Sequence, residues 1–220
     1  MGETLAKPRG GPISGGAIIL VRHGEPALSR KVRLTAGDYG EWWALYEDGG
    51  LKPGQVPPTD LVACAARAGG LFVSTRRRAG ETASAIAPSR PFEESSDFIE
   101  APLPPPPSPG WLKLSPRWWG VISRLFWWRF GLTGGQESHA AAKARARRVA
   151  ERLIAESRAR GDVLVVAHGF FNYMIGRELE ARGWRLSLDE GFGYWSRRRF
   201  ERPAAVGYNR ALEAPQSAGQ

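Results

Sequence analysis

Three short, unbroken apolar runs punctuate the chain: Ala17-Ile18-Ile19-Leu20-Val21, Leu71-Phe72-Val73 and Val163-Leu164-Val165-Val166-Ala167. Runs of this kind, with no polar alternation, predict strands buried on both faces, as in parallel sheets. Amphipathic stretches lie between them. Residues 38–48 predict a helix stopped by Gly49-Gly50, and Thr59 or Asp60 is suited to cap a second helix running to about Ala68. Arg77 to Ala87 predicts a third helix, stopped by Pro88. Apolar or small residues at 142, 146, 149, 150, 153, 154 and 157 form one stripe of a long helix that Gly161 ends. Thr133-Gly-Gly-Gln136 ahead of it matches a capping box. Another helix is expected after Ala167, to about Arg182, and the aromatic segment 192–200 predicts an edge strand.

Short strands alternating with helices predict an α/β fold: a three-layer α/β/α sandwich around a mostly parallel central sheet. Residues 1–16, rich in Gly and Pro, predict a flexible tail, 17–203 a single catalytic domain, and 204–220 a C-terminal tail. Within the domain, residues from about 101 to 134 read as a cap insertion rich in Pro and Trp. Pro104–Pro107 suggests an extended linker or lid edge. The stretch from Trp111 to Phe130 is aromatic and basic, apolar nearly all round a helix and too short to span a bilayer. It fits a cap helix packed on the core, an apolar-walled lid, or a segment docking at a membrane surface.

Composition narrows the partners. With 220 residues and 42% hydrophobic content the chain can bury a sizeable core, and 24% charged residues argue against disorder. A net charge of +9 favours anionic partners, but the arginines are scattered, which does not point to nucleic acid. The single cysteine, Cys64, excludes an intramolecular disulfide framework and lies on an apolar helix face. No segment is long and apolar enough for a secretory signal or a membrane span, so a cytoplasmic protein is expected. Oligomeric state is open.

The chain has only three histidines, and two of them directly follow buried strands, in Arg22-His23-Gly24-Glu25 and in His168-Gly169. Polar groups at that point lie at the carboxyl edge of a sheet, where open α/β folds build their sites. Phosphoryl transfer needs a nucleophile, cations around the equatorial oxygens and a proton donor for the leaving oxygen. Neutral imidazole is a competent nucleophile, and guanidinium grips phosphate bidentately.

Arg22-His23-Gly24-Glu25 after a buried strand resembles the signature of the histidine phosphatase superfamily, the phosphoglycerate-mutase-like proteins of branch 1. Ser74-Thr75-Arg76-Arg77-Arg78-Ala79-Gly80-Glu81-Thr82-Ala83 is similar to that family's Ser-x-x-x-Arg-Ala-x-x-Thr-Ala segment, and Val165-Val166-Ala167-His168-Gly169 to its second-histidine segment. The matches fall in family order between residue 17 and about 180. The resemblance implies a phosphohydrolase acting on an anionic phosphorylated substrate, with His23 as the nucleophile that becomes phosphorylated. Arg22, Arg78 and His168 would bind phosphoryl oxygens. Glu100 would be the proton donor, with Asp97 as rival. No metal and no cofactor are implied. Pro26-Ala27-Leu28-Ser29 departs from the Ser/Thr-x-Trp-Asn run of the sugar-phosphate mutases, which favours a phosphatase over a mutase.

Other polar residues have plainer readings. His139, Glu25, Glu81, Arg76 and Arg77 are expected on solvated faces. Asn172 would hydrogen-bond in the pocket or cap a helix. Arg30, Lys31 and Arg33 read first as a solvated face and second as a basic pocket mouth. The alternatives to a phosphatase are a catalytically weak phosphate-binding or scaffold protein and a protein associated with a membrane surface through the Trp-rich insertion.

Overall fold

The computed structural model describes residues 15–101, 105–131 and 133–203. The expected tails, apart from Gly15 and Gly16, lie outside the described residues, as does Pro104 of the proline run.

The three apolar runs form the middle of a six-stranded sheet. In chain order the elements are β1 (Ile18–Arg22), α1 (Ala36–Asp48), α2 (Thr59–Arg67), β2 (Gly70–Ser74), α3 (Arg77–Ile86), β3 (Glu93–Ser95), α4 (Pro116–Phe130), α5 (His139–Arg160), β4 (Val163–Ala167), α6 (Gly169–Glu180), β5 (Arg185–Asp189) and β6 (Arg197–Glu201). The strand order is β3-β2-β4-β1-β6-β5. The first four strands are mutually parallel, and β6 pairs antiparallel with both β1 and β5, so the sheet is mixed.

Alternate residues of each strand feed opposite faces. Ile18, Leu20, Val163 and Val165 pack with Ala146, Val149 and Leu153 of α5 and Ile175 of α6. Ile19, Val21, Leu164 and Val166 pack with Leu61 and Ala65 of α2 and Ala79 and Ala83 of α3. Every residue of β2 and β4 is buried, which is why those segments carry no polar alternation.

A third cluster stands apart from the sheet. Tyr39, Trp42 and Tyr46 of α1 pack on Trp119 of α4. The chains leading into the two helices are tied by paired backbone hydrogen bonds between Leu34 and Leu114 (2.8 and 3.0 Å). Trp119 adds an indole N–H bond to the Leu34 carbonyl at 2.7 Å. The covering layer is therefore built from both α4, with the chain leading into it, and the segment around α1.

Several boundaries differ from expectation, each for a local reason. Segment 192–200 does not supply an edge strand: β6 begins at Arg197 and lies between β1 and β5, with Arg198 and Phe200 buried. Its outward arginines find carboxylates, Arg197 on Glu190 and Asp60 and Arg199 on Asp162 and Glu201, so a charged sequence sits inside the sheet. The edges are β5 and β3, both largely exposed and neither expected. Thr133-Gly134-Gly135-Gln136 is not a capping box. Its glycines take left-handed φ of 55° and 79°, Gln136 N–H closes a turn on the Thr133 carbonyl, and Ser138 caps α5. Neither Thr59 nor Asp60 caps α2, whose N-cap is Pro58. Helix α1 starts at Ala36, two residues before the expected start, because Thr35 and Asp38 form a capping box.

An internal helical glycine usually costs about 1 kcal/mol relative to alanine. At Gly176 of α6 the sign should reverse, because an added Cβ would lie 2.7 Å from Cζ of the fully buried Phe200 and 3.3 Å from Arg198 Nη1. Gly176→Ala is expected to destabilise the protein by roughly 1–3 kcal/mol in denaturant titration. Adding Phe200→Leu should soften that penalty. A gain in stability from Gly176→Ala alone would contradict the packing described.

Candidate active site

Register brings the two histidines together. Strands β1 and β4 pair in parallel with Arg22 opposite Ala167, and the His23 N–H donates to the Ala167 carbonyl at 3.1 Å. His23 and His168 therefore leave neighbouring strand ends, with ring centroids 5.2 Å apart. Strand β2, on the other side of β4, ends at Ser74, whose Oγ lies 2.9 Å from His168 Nε2.

Arg78, in the first turn of α3, joins the two rings. It is 1% exposed, and all its N–H groups have partners. Nε donates to His23 Nε2 and Nη2 to His168 Nδ1, both at 3.3 Å. Nη2 also donates to Glu47 Oε1 at 2.8 Å, and Nη1 to the Tyr46 and Glu47 carbonyls at 2.7 and 3.1 Å. Its guanidinium stacks 4.5 Å from the centre of the Tyr46 ring.

These contacts fix the tautomers. A guanidinium can only donate, so the imidazole nitrogens facing Arg78 must be acceptors. His23 carries its proton on Nδ1 and donates it to the Gly24 carbonyl at 2.7 Å. His168 carries its proton on Nε2, toward Ser74. Two neutral rings thus aim lone pairs at one cation. Burial, then the charges of Arg78 and Arg22, hold His23 well below the ordinary 6.5. Burial, then Arg78 and His23, do the same to His168.

The peptide that orients His23 is itself held. Gly24 N–H donates to Thr82 Oγ1 at 3.0 Å, and Glu25 N–H donates to Gln55 Oε1 at 2.7 Å. The Trp195 indole donates to the same Gln55 oxygen at 3.0 Å. Trp195 lies directly over Gly24, where a Cβ would meet its ring at 2.4 Å, which explains a glycine there. Trp195 holds a left-handed φ of 63°, a costly conformation for a bulky residue and one found where a site dictates it.

The other proposed site residues lie around the same cavity, of about 750 Å³. Arg22 lines it, bonded to the Phe192 carbonyl and stacked 4.4 Å from the Tyr194 ring centre. Glu100 lines it too. Its carboxylate accepts from the N–H groups of Phe171 at 2.9 Å, Ala101 at 3.1 Å and Phe170 at 3.3 Å, and faces Arg124 at 3.8 Å. Glu100 thereby supplies the start of α6 with the acceptor its own N-cap, His168, lacks. Asp97 is not among the lining residues; its carbonyl accepts from Arg145. Aromatic walls come from Trp43, Tyr46, Phe170, Tyr173, Phe192 and Tyr194, and further cations from Arg30, Arg117 and Arg124. Among the described residues no group of three or more His, Cys, Asp or Glu side chains could hold a metal ion.

Some plain readings need correction. Arg30 lines the cavity, whereas Lys31 and Arg33 do not. Arg76 is half-buried and pairs with Glu47 at 2.6 Å. Glu81 accepts from the Leu51 N–H at 2.6 Å and pins the loop after α1. His139 is half-buried, its ring 4.9 Å from that of Trp127. Asn172 works behind the site, where its amide donates to the Val21 carbonyl at 3.0 Å. Glu47, Gln55, Tyr194 and Trp195 were not singled out in the sequence. The one available signal was the aromatic cluster in 192–200, which has no strand pattern before Arg197.

Comparison with known proteins agrees with this geometry. A model of the histidine phosphatase superfamily (branch 1) matches residues 60–192, which takes in Arg78, Glu100 and His168 and starts after His23. Among solved structures, an open reading frame product of Mycobacterium tuberculosis superposes with a TM-score of 0.54 at 19% identity, over 87% of this chain and 97% of that one. Phosphoserine phosphatase of Entamoeba histolytica, in complex with phosphoserine, gives 0.51 at 17%, over 84% and 89%. A mycobacterial glucosyl-3-phosphoglycerate phosphatase, in complex with VO3, gives 0.50 at 19%, over 84% and 90%. At these identities the likeness is one of fold. No curated protein matches the chain in sequence.

The neutral histidines predict a pH dependence of stability. In the unfolded chain both rings protonate near 6.5, while in the fold they resist protonation until far lower pH. Between those values the unfolded state binds more protons, so stability falls as pH drops below about 6.5. The loss should reach up to about 1.4 kcal/mol per pH unit for each ring. Urea titrations between pH 6.5 and 5 should show it, and the His23→Gln/His168→Gln protein should show a shallower slope. Equal slopes would mean the rings are not held neutral.

Proposed function

The chain belongs to the histidine phosphatase superfamily, branch 1, and on that premise we propose that it is a phosphomonoester hydrolase working through a phosphohistidine on His23. The observation that carries the proposal is the convergence of two neutral imidazole lone pairs on one buried guanidinium at a cavity. Those are the positions a phosphoryl group would occupy.

In the proposed first step an incoming phosphoryl group takes the place Arg78 Nε holds on His23 Nε2. Nε2 forms a bond to phosphorus as the bond to the ester oxygen breaks, and Glu100 gives that oxygen its proton. In the second step water attacks phosphorus, its proton passes to Glu100, and the P–N bond returns its electron pair to Nε2. Nδ1 keeps its proton, donated to the Gly24 carbonyl, throughout, so the ring needs no tautomer change. Arg22, Arg78 and His168 balance the charge on the equatorial oxygens, so the scheme requires no metal. The aromatic walls favour an organic group with flat or apolar surface. The absence of the mutase run after Glu25 supports hydrolysis over mutase transfer. The single, half-buried Cys64 fits a reducing, cytoplasmic setting.

A phosphate-binding protein without turnover is the alternative, and the full engagement of Glu100 by backbone N–H groups is the observation that favours it. Kinetics separate the two. His23→Ala should abolish p-nitrophenyl phosphate turnover, and rapid quenching of wild type should yield acid-labile phosphate on His23. Glu100→Gln should slow alkyl phosphates by about 10²–10⁴-fold and nitrophenyl phosphate far less, since nitrophenolate leaves without a proton. His23-independent turnover, or none across a broad phosphomonoester panel, would sink the hydrolase.

Anion binding should also take up a proton. His168 faces the phosphoryl site with a lone pair, and a dianion there reverses the electrostatics that keep the ring neutral. Calorimetry of binding of tungstate, a dianion at pH 7, in buffers of different ionisation enthalpy, should show about one proton taken up per anion. His168→Asn should abolish the uptake.

A further inference from the structure

Helix α4 has two apolar faces, and the described residues cover only one. Trp119 and Trp127 are buried. On the other side Trp118, Val121, Leu125 and Trp128 are 60%, 49%, 52% and 64% exposed. Steps of three, four and three residues place these four on one stripe. The buried indoles of Trp119 and Trp127 donate hydrogen bonds to protein carbonyls. Those of Trp118 and Trp128 have no partner among the described residues.

Charge decides what this stripe faces. At 100° per residue Arg117 and Arg124 border it on one side and Arg129 on the other. Lys113, Arg117, Arg124 and Arg129 are the only charged residues between 101 and 136, with no Asp or Glu among them. Arg117 and Arg129 have no acidic partner among the described residues. A second copy of the helix packed on the stripe would bring arginines against arginines with nothing to neutralise them. An anionic lipid surface satisfies every part of the pattern: apolar side chains enter the acyl boundary, indole N–H groups meet the headgroup region, and flanking guanidiniums meet lipid phosphates.

We propose that α4 docks the protein, parallel to the surface, on an anionic lipid bilayer through Trp118, Val121, Leu125 and Trp128. The helix has 15 residues, about 22 Å, and lies on the surface without crossing it. No described helix is long and apolar enough to cross a membrane. Val121 and Arg117 also line the cavity, so docking sets the mouth of the pocket beside the headgroups.

Co-sedimentation with phosphatidylcholine–phosphatidylglycerol vesicles, compared with phosphatidylcholine alone, tests this on the full chain. Binding is expected to the anionic vesicles and to fall steeply with salt. Trp118→Ser/Leu125→Ser/Trp128→Ser, all exposed positions outside the cavity lining, should weaken it roughly tenfold or more while keeping the thermal midpoint and p-nitrophenyl phosphate turnover. Failure to sediment with anionic vesicles overturns the proposal, whether the protein is then monomeric or self-associates through the same residues in analytical ultracentrifugation. Undiminished binding by the triple variant overturns it as well, because net positive charge alone would then account for the attraction.

Discussion

A buried guanidinium must be fully paired, and much of the site's geometry follows from how Arg78 meets that demand. Its one carboxylate partner is Glu47, from outside the sheet. Two α1 carbonyls and the two imidazoles take the remaining N–H groups. The imidazoles can serve only if neutral and turned with their lone pairs inward. The cation proposed to recognise phosphate thus also keeps the proposed nucleophile unprotonated, with its lone pair turned inward. It also fastens α1 to α3, so the covering layer and the sheet share the site's central contact.

Backbone does the rest of the orienting. The Gly24–Glu25 peptide accepts the His23 Nδ1 proton through its oxygen and is gripped at its N–H by Gln55. Trp195 closes over this peptide from the turn before β6, at the cost of a left-handed backbone. The strain sits where a small displacement would rotate the imidazole, consistent with a position determined from several sides.

The sheet's centre and the order of the site segments were legible because burial on both faces leaves unmixed apolar runs, and because His23 and His168 directly follow two of them. Local patterns were less reliable where tertiary contacts overrode them. The aromatics of 192–200 read as an edge strand, but β6 begins only at Arg197, and carboxylates on neighbouring segments make an interior place tolerable for its arginines. Thr133 and Gln136 had the spacing of a cap, but two left-handed glycines turned the chain first. Glu47 and Gln55 carried no signal at all. One sits in an ordinary amphipathic helix and the other in a polar loop, and their importance arises only when the fold brings Arg78 and Glu25 to them.

Glu100 connects the chemistry to the covering helix. Its carboxylate is anchored in the first turn of α6, on the N–H groups two and three residues beyond His168, and Arg124 reaches it from α4 while stacking on Phe170. Arg124 is therefore shared between the proposed proton donor and the border of the exposed stripe. Any movement of α4 relative to the sheet thus reaches the site by two routes: to Glu100 through Arg124, and to Arg78 through Trp119, which packs on the α1 residues that hold its guanidinium.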